Sequence, residues 1–352
     1  MIFVFLPEAV VPPIPWLFRK PEILMSILIN EQTKVLVQGI TGKEGAKVAL
    51  QMKNYGTKVL AGVTPGKGGQ EIYGVPVYNS VKEAMENHSG INTSFVSVPA
   101  FAALGAVSEA IESGIELINI LTEHVPIQDT AKMIALAKGQ GERVKGKVQI
   151  VGPSSIGIIS SGIGKVGSIG GEDPRSVFRK GNIGVISKSG GMASEVSWIL
   201  TKAGMGQSTV VGIGGDILEG TTFADLLMDF EKDPQTEAVV IFGEIGGTYE
   251  EDAAELIRGK RKGESLPASK AGGKFTKPVV AFVSGLFAEQ LPSGTKLGHA
   301  GAIVYGDKGS YKSKINALKE AGVIIAKTPD EIPELLKKVT IQSFPVVILE
   351  GG

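Results

Sequence analysis

The sequence predicts an α/β protein built as two doubly wound domains in tandem, each a mostly parallel sheet with helices on both faces. Short apolar runs alternate with helix-length amphipathic segments in two successive series, the pattern of parallel strands joined by crossover helices. The 48 glycines cluster at the ends of those apolar runs instead of repeating at a fixed period, which places tight strand-to-helix turns there. The length of 352 residues allows two domains, each with its own core. Ligands of such sheets collect at the carboxyl ends of the strands, where the glycine loops would lie.

Residues 1–30 stand apart from this pattern. Met1-Ile-Phe-Val-Phe-Leu6 is apolar, but Pro7, Pro12, Pro13 and Pro15 interrupt it well short of the roughly 20 residues a membrane span needs. It has no basic start and no small-residue cleavage site, so it does not read as a signal peptide. Met25, just before the first patterned strand, is expected to be the natural start, with an arm before it. Val35–Val37 is then a buried strand, and Gly39-Ile-Thr41-Gly42-Lys43-Glu44-Gly45 turns into a helix reaching about Tyr55. Strands follow at Lys58–Val63, Thr93–Val98, Leu117–Leu121 and Val148–Val151, with helices at Val81–Asn87, Ala102–Ser113 and Thr130–Lys138.

Residues 152–180 are rich in Gly, Ser and Pro with little periodicity, so a connecting segment is expected there. The second series has strands at Ile183–Ile186, Thr209–Val211, Ala238–Phe242, Val279–Val283 and Gly322–Ile325. Helices are expected at about 191–203, 222–231, 249–258 and 310–320. Lys260 to Lys274, rich in Lys, Gly and Ser, reads as a surface loop. The tail after Val339 carries no helical pattern.

Composition narrows the function. Lysine plus arginine balances aspartate plus glutamate at 36 each, which gives no support for a nucleic-acid or membrane-surface partner. The absence of cysteine excludes disulfides, thiol catalysis and thiolate metal sites, and fits a reducing, cytoplasmic setting. No metal site is expected on this chain.

Chemistry points to the loops. Gly39-x-x-Gly42-x-x-Gly45 is a loose relative of the dinucleotide fingerprint, and a plain tight turn fits it about as well. Lys43, and Lys67 within Thr64-Pro-Gly-Lys-Gly-Gly69, add charge suited to a phosphate-bearing ligand such as a nucleotide or coenzyme A. No acidic residue ends the second strand, which argues against an NAD dehydrogenase. Ser187-Lys188-Ser189-Gly190-Gly191 opens a helix whose bare N–H groups suit an anion, though an ordinary serine cap has the same spelling. Gly212-Ile-Gly-Gly-Asp216 and Gly243-Glu-Ile-Gly-Gly-Thr248 set carboxylates in sterically empty loops. His299, one of three histidines, lies in Gly298-His-Ala-Gly-Ala-Ile303, where a bulky anion could reach a nucleophilic imidazole. Glu244 could accept a hydrogen bond from that ring and fix its tautomer. His88 reads as plain surface.

The motifs GITGKEG, TPGKGG, LTEHVP, SKSGGM, VGIGGD, GEIGGT and GHAGAI, in this order over roughly residues 32–340, resemble the alpha-type subunit of the nucleotide-dependent acyl-CoA synthetases. The resemblance implies a Rossmann-like CoA-binding domain over 31–151, a flavodoxin-like ligase domain over 181–340, and a tail at 341–352. It also implies a hetero-oligomer with a beta-type, ATP-grasp subunit that binds ATP or GTP with magnesium. His299 would carry the phosphoryl group, held by Glu244, with Ser189, Gly190 and Gly191 as the phosphate-binding helix start. Thr41, Gly42, Lys43, Glu44, Lys67, Leu121, Thr122 and Glu123 match the coenzyme A positions, and Ser194, Gly215, Asp216, Gly246 and Gly247 fall at the acid substrate.

Departures from the succinate-using pattern point to the acid. The family loop GPNCPG reads Gly152-Pro-Ser-Ser-Ile-Gly157 here, and Ser194 stands where succinate enzymes carry tyrosine. Ser189-Gly-Gly-Met192 and the span from Gly285 to His299 resemble ATP citrate lyase, whose additional lyase module this sequence lacks. A smaller, hydroxylated side chain at 194 frees room for a tricarboxylate. The expectation is the small subunit of a citryl-CoA synthetase, with the succinyl-CoA synthetase alpha subunit as the alternative and a non-catalytic CoA-binding module as a distant third. His124, where relatives carry glycine, is not explained by the sequence.

Overall fold

The computed structural model describes residues 26–139, 148–259, 275–290, 298–304 and 308–342. The expected loop at 260–274 and all but the end of the expected arm lie outside them. The first half runs β1 (Lys34–Gln38), α1 (Lys43–Tyr55), β2 (Lys58–Val63), β3 (Glu71–Ile72), β4 (Val75–Tyr78), α2 (Val81–Asn87), β5 (Thr93–Val96), α3 (Ala103–Glu112), β6 (Leu117–Ile120), α4 (Ile127–Gly139) and β7 (Gln149–Val151). These strands form one sheet in the order β3-β4-β2-β1-β5-β6-β7, parallel except for the β3–β4 hairpin. That hairpin has no signal in the apolar pattern. It turns on Tyr73 and Gly74, both at positive φ, a geometry usually marked by Asn-Gly.

The second half runs β8 (Gly157–Ser160), β9 (Gly164–Gly167), β10 (Lys180–Ser187), α5 (Gly190–Lys202), β11 (Gln207–Gly212), α6 (Phe223–Lys232), β12 (Ala238–Glu244), α7 (Tyr249–Ile257), β13 (Val279–Ser284), α8 (Tyr311–Glu320), β14 (Ile324–Ile325) and α9 (Ile332–Gln342). The second sheet is ordered β14-β13-β12-β10-β11-β8-β9. In both sheets the chain leaves an early central strand in both directions, through β2 and β5 around β1, and through β11 and β12 around β10. Each sheet therefore has a crevice at its carboxyl edge where the winding reverses.

Local chemistry explains the elements. α6 opens with a capping box between Thr222 and Asp225 and buries Phe223, Leu226, Leu227 and Phe230, the spacing of one helical face. α1 stops at Gly56, whose φ of 111° suits glycine. α9 continues through the region where no helix was expected. It buries Ile332 and Leu336 at a spacing too short to stand out as a period.

The stretch 152–180 is more than a connector. β8 pairs antiparallel with β11 and with β9, extending the second sheet. Lys165 N–H donates to Thr57 Oγ1 at 2.9 Å, Thr57 Oγ1 donates to the Lys165 carbonyl at 2.7 Å, and Gly167 N–H meets Met52 Sδ at 3.4 Å. The hairpin thus joins α1 of the first half to the second sheet. The expected arm is corrected too at its end. Ile27 and Ile29 are buried, and Ser26 Oγ lies 2.6 Å from Ser160 Oγ and 2.8 Å from Thr209 Oγ1. Two isoleucines gain more from burial in the shared core than a free segment keeps in chain entropy.

Candidate active site

The carboxyl edge of the first sheet is made of backbone. Gly39, at φ 85°, and Gly45 sit so close to the Ser97 and Gly39 carbonyl oxygens that a Cβ on either would lie 2.2 Å away. α1 starts at Gly42 with no side-chain cap, which leaves the first-turn N–H groups for an anion. In the neighbouring loop, Asn79 Oδ1 accepts the N–H groups of Gly66 and Gly68 at 2.9 and 3.0 Å, and Thr64 O accepts that of Lys67. These amides are spent on holding the loop, which leaves the exposed Lys67 side chain as the group this loop offers to solvent. Thr41 Oγ1 ties this loop to the first by donating to Thr64 Oγ1 at 3.2 Å. Asn79, thirteen residues beyond Gly66, was not singled out by the sequence because its role depends on the return of β4.

The second edge holds the histidine. His299 Nδ1 lies 2.6 Å from Glu244 Oε2, with the ring partly exposed and the carboxylate nearly buried. That hydrogen bond raises the imidazole above its ordinary value of 6.5, against a smaller opposing effect of burial. The loop carrying the ring is wedged between two glycine loops. Gly301 N–H donates to the Gly215 carbonyl at 2.9 Å. A Cβ on Gly215 would come within 2.6 Å of His299 Cγ, and one on Gly246 within 2.0 Å of the Gly301 carbonyl oxygen. The ring is thus positioned by the absence of side chains on both sides.

Beneath these loops lies buried charge that the sequence reading passed over. Glu250 accepts the Glu244 N–H at 3.0 Å and is paired with Lys314. Lys314 also donates to the Gly247 carbonyl and to Glu251, each at 3.1 Å. Lys188 Nζ lies 4.0 Å from Glu250 and 3.5 Å from the Gly246 carbonyl. Burial pushes against ionisation of Glu250, but Lys188 and Lys314 outweigh it and hold the carboxyl below its ordinary value. Breaking such a pair strands a desolvated charge, so the network clamps the Glu244–Gly247 loop. Glu219 is buried, its carboxyl pushed well up by desolvation, and it accepts the Asp216 N–H at 2.7 Å. Among the described residues, Glu244 Oε1 and Glu219 Oε2 are buried without a hydrogen-bond partner.

The loop Gly152–Gly157 joins the two edges. Ser154 N–H donates to the Thr122 carbonyl at 3.0 Å, and Ser154 Oγ donates to Asp216 Oδ1 at 3.0 Å. Ser155 Oγ donates to the Gly212 carbonyl and accepts from Asn119 Nδ2. Ile156 occupies the space opposite Gly190 and Gly212, where a Cβ would lie 2.4 and 2.7 Å from it. Ser189 caps α5 weakly, accepting from Met192 N–H at 3.4 Å. Ser194 lies on the second turn of α5, half-buried, and shares no hydrogen bond with His299 among the described residues. Thr41–Glu44, Lys67 and Leu121–Glu123 line the first edge, and His299, Glu244, Gly215, Asp216 and Gly246 meet at the second.

A bare helix start at one sheet edge and a carboxylate-held histidine at the other suit an acid–thiol ligase that uses coenzyme A. Comparison with known proteins agrees. Residues 30–124 match the CoA binding domain model and residues 186–324 the CoA-ligase model. The chain is 45% identical over 315 residues to the alpha subunit of an ADP-forming succinate–CoA ligase from Aquifex aeolicus, covering 90% of this chain and 95% of that one. It is 46% identical to a second such subunit from Archaeoglobus fulgidus, covering 90% of this chain and all of that one. ATP citrate lyase from Methanosaeta concilii, solved with citryl-CoA, superimposes with a TM-score of 0.78 at 23% identity, covering 93% of this chain and 52% of the lyase chain. The chain spans about half of that lyase, and the likeness is one of fold. The chain belongs to the alpha-type subunits of the nucleotide-dependent acyl-CoA synthetases, the acid–thiol ligases that include succinate–CoA ligase.

Proposed function

We propose that this chain is the small subunit of a citryl-CoA synthetase, and that it makes the thioester from citrate and coenzyme A through a phosphorylated His299. The observation that carries the histidine chemistry is the 2.6 Å contact between Nδ1 and Glu244. It commits Nδ1 to the carboxylate, so Nε2 is left to accept the phosphoryl group, which a beta-type partner delivers from ATP or GTP held with magnesium. His299 then hands the group to a substrate carboxylate. This exchanges a poor leaving group, carboxylate oxygen, for phosphate, and so splits one hard step into two easier ones. Gly190 and Gly191, at the start of α5, and the glycine loops around His299 leave room for the transferred group. Thr41–Glu44, Lys67 and Leu121–Glu123 hold coenzyme A. When bound, it supplies the thiol that displaces phosphate.

The choice of citrate rests on the side chains that shape the space near α5. Ser194 takes less volume than a tyrosine and keeps a hydroxyl, and the Gly152–Gly157 loop presents Ser154 and Ile156. The second reading, succinate, is favoured by relatives that carry that name at 45% and 46% identity. A coupled assay of the two-subunit complex separates them. Thioester formation from citrate is expected, and turnover confined to succinate would overturn the citrate reading. Acid-labile, base-stable phosphate on the chain after incubation with nucleotide and partner tests the His299 step, and its absence would revive the binding module.

A further inference from the structure

Among the described residues, the non-glycine positions with positive φ are Leu28, Tyr73, His124 and Ser154. Two of these four fall together at the junction of the two sheet edges. His124, at φ 59°, follows Thr122 and Glu123, and Ser154, at φ 55°, donates its N–H to the Thr122 carbonyl at 3.0 Å. Glycine adopts this conformation freely and histidine does not, so the backbone here holds an exposed imidazole at a local cost. Such strain gathers at functional sites.

The surroundings say what an imidazole could do there. Ser154 Oγ binds Asp216, and the residue before Asp216 is Gly215, which packs against the His299 ring. A short path of contacts thus leads from the His124 loop to the phosphoryl acceptor. An acid activated at His299 and attacked by a thiol held at the first edge has to lie along that path. Asp216 and Glu123 lie near one another on this path, and desolvation together with Glu123 makes the ionised form of Asp216 costlier, while the Ser154 hydrogen bond and His124 favour it. A polycarboxylate entering between two acidic side chains meets repulsion that a nearby imidazole offsets.

We propose that His124 is a specificity-determining residue that binds a carboxylate of the acid substrate other than the one activated at His299. This deepens the citrate reading and rests on it only for the number of carboxylates. The imidazole donates N–H to that carboxylate across the gap between Thr122 and Asp216, and orients the remaining carboxylate toward His299. It makes no covalent bond and moves no proton in the reaction.

The test uses the complex of this chain with its beta-type partner. His124→Gly suits the backbone at φ 59° without strain, so folding is not at risk. With the acid that the wild-type complex accepts, KM is expected to rise about 10- to 100-fold, the loss of a charge-assisted hydrogen bond, with kcat little changed. Coenzyme A affinity, measured by calorimetry, stays level. A KM for that acid within about twofold of wild type would overturn the proposal. So would a loss of coenzyme A affinity equal to the rise in KM, because His124 would then serve coenzyme A. If the wild-type complex accepts only succinate, the citrate reading fails, and the same ratio of KM values for succinate still decides the role of His124.

Discussion

The two sheet edges share one architecture and differ in what they bury. At the first, the bare start of α1 presents backbone N–H groups, while those of Gly39, Gly42, Gly66 and Gly68 are bonded within the loops, and the flanking Lys43, Glu44 and Lys67 are exposed. At the second, the same strand–loop–helix turns sit over Glu219, Glu244, Glu250, Lys188 and Lys314, all withdrawn from water. A backbone cradle is neutral and preorganised, so it holds a fixed anion at little cost. Buried ionisable groups change their proton affinity with their neighbours, and that is what a nucleophile needs. Under the proposed function, one edge holds a ligand and the other reacts.

Substitutions at the second edge should therefore damage chemistry while sparing coenzyme A binding. His299→Asn removes the acceptor nitrogen, and phosphate incorporation and thioester synthesis should fall to background with coenzyme A affinity retained. Substantial residual synthesis would mean that the reacting group lies elsewhere. Gly215→Ala tests position without removing a polar group. Its Cβ would lie 2.6 Å from His299 Cγ, so the ring must move, and phosphorylation should slow about 100-fold. An unchanged rate would show that the loop yields instead.

Glu244→Gln sharpens the contrast through pH. Only the neutral imidazole has a lone pair to attack, so phosphorylation fails as pH falls through the His299 pKa. Glu244 raises that pKa above 6.5, so removing its charge should move the acid limb of the rate profile to lower pH. The maximal rate should drop about tenfold, as the positive charge that develops on the ring loses its partner. An acid limb that stays in place would remove Glu244 from the reaction. The smallest effect is expected at the first edge. Lys67→Ala should weaken coenzyme A about tenfold and leave His299 phosphorylation untouched, since one exposed cation among several backbone donors is lost. Unchanged affinity would mean that the loop faces away from the ligand.

Much of this was legible in the chain. The alternation of short apolar runs with helices marks both sheets, because parallel strands buried on two faces have to be apolar throughout. The glycine loops at the two edges were legible as well, since glycines clustered after apolar runs mark strand-to-helix turns, although such turns do not by themselves name a ligand. The β3–β4 hairpin, the β8–β9 hairpin and α9 were not. Each is too short, or too weakly periodic, to be told from loop, and each is held by contacts distant in sequence. Asn79, Glu250, Lys314 and the burial of Lys188 were missed for the same reason. An isolated Lys or Glu in a sequence is by default a solvated surface group, and only a partner brought by another element makes its burial affordable.

The sequence by itself determined the fold class, the order of the loops and the residue types offered for chemistry, because these follow from local periodicity and from what each side chain is able to do. Tertiary structure alone decided which of those residues meet. Glu244 reaches His299 across 55 residues of chain, and Ser154 links Thr122 to Asp216 across the seam between the sheets. The physical reason is that burial and proton affinity belong to a place in the folded chain, and no stretch of sequence carries that place within itself.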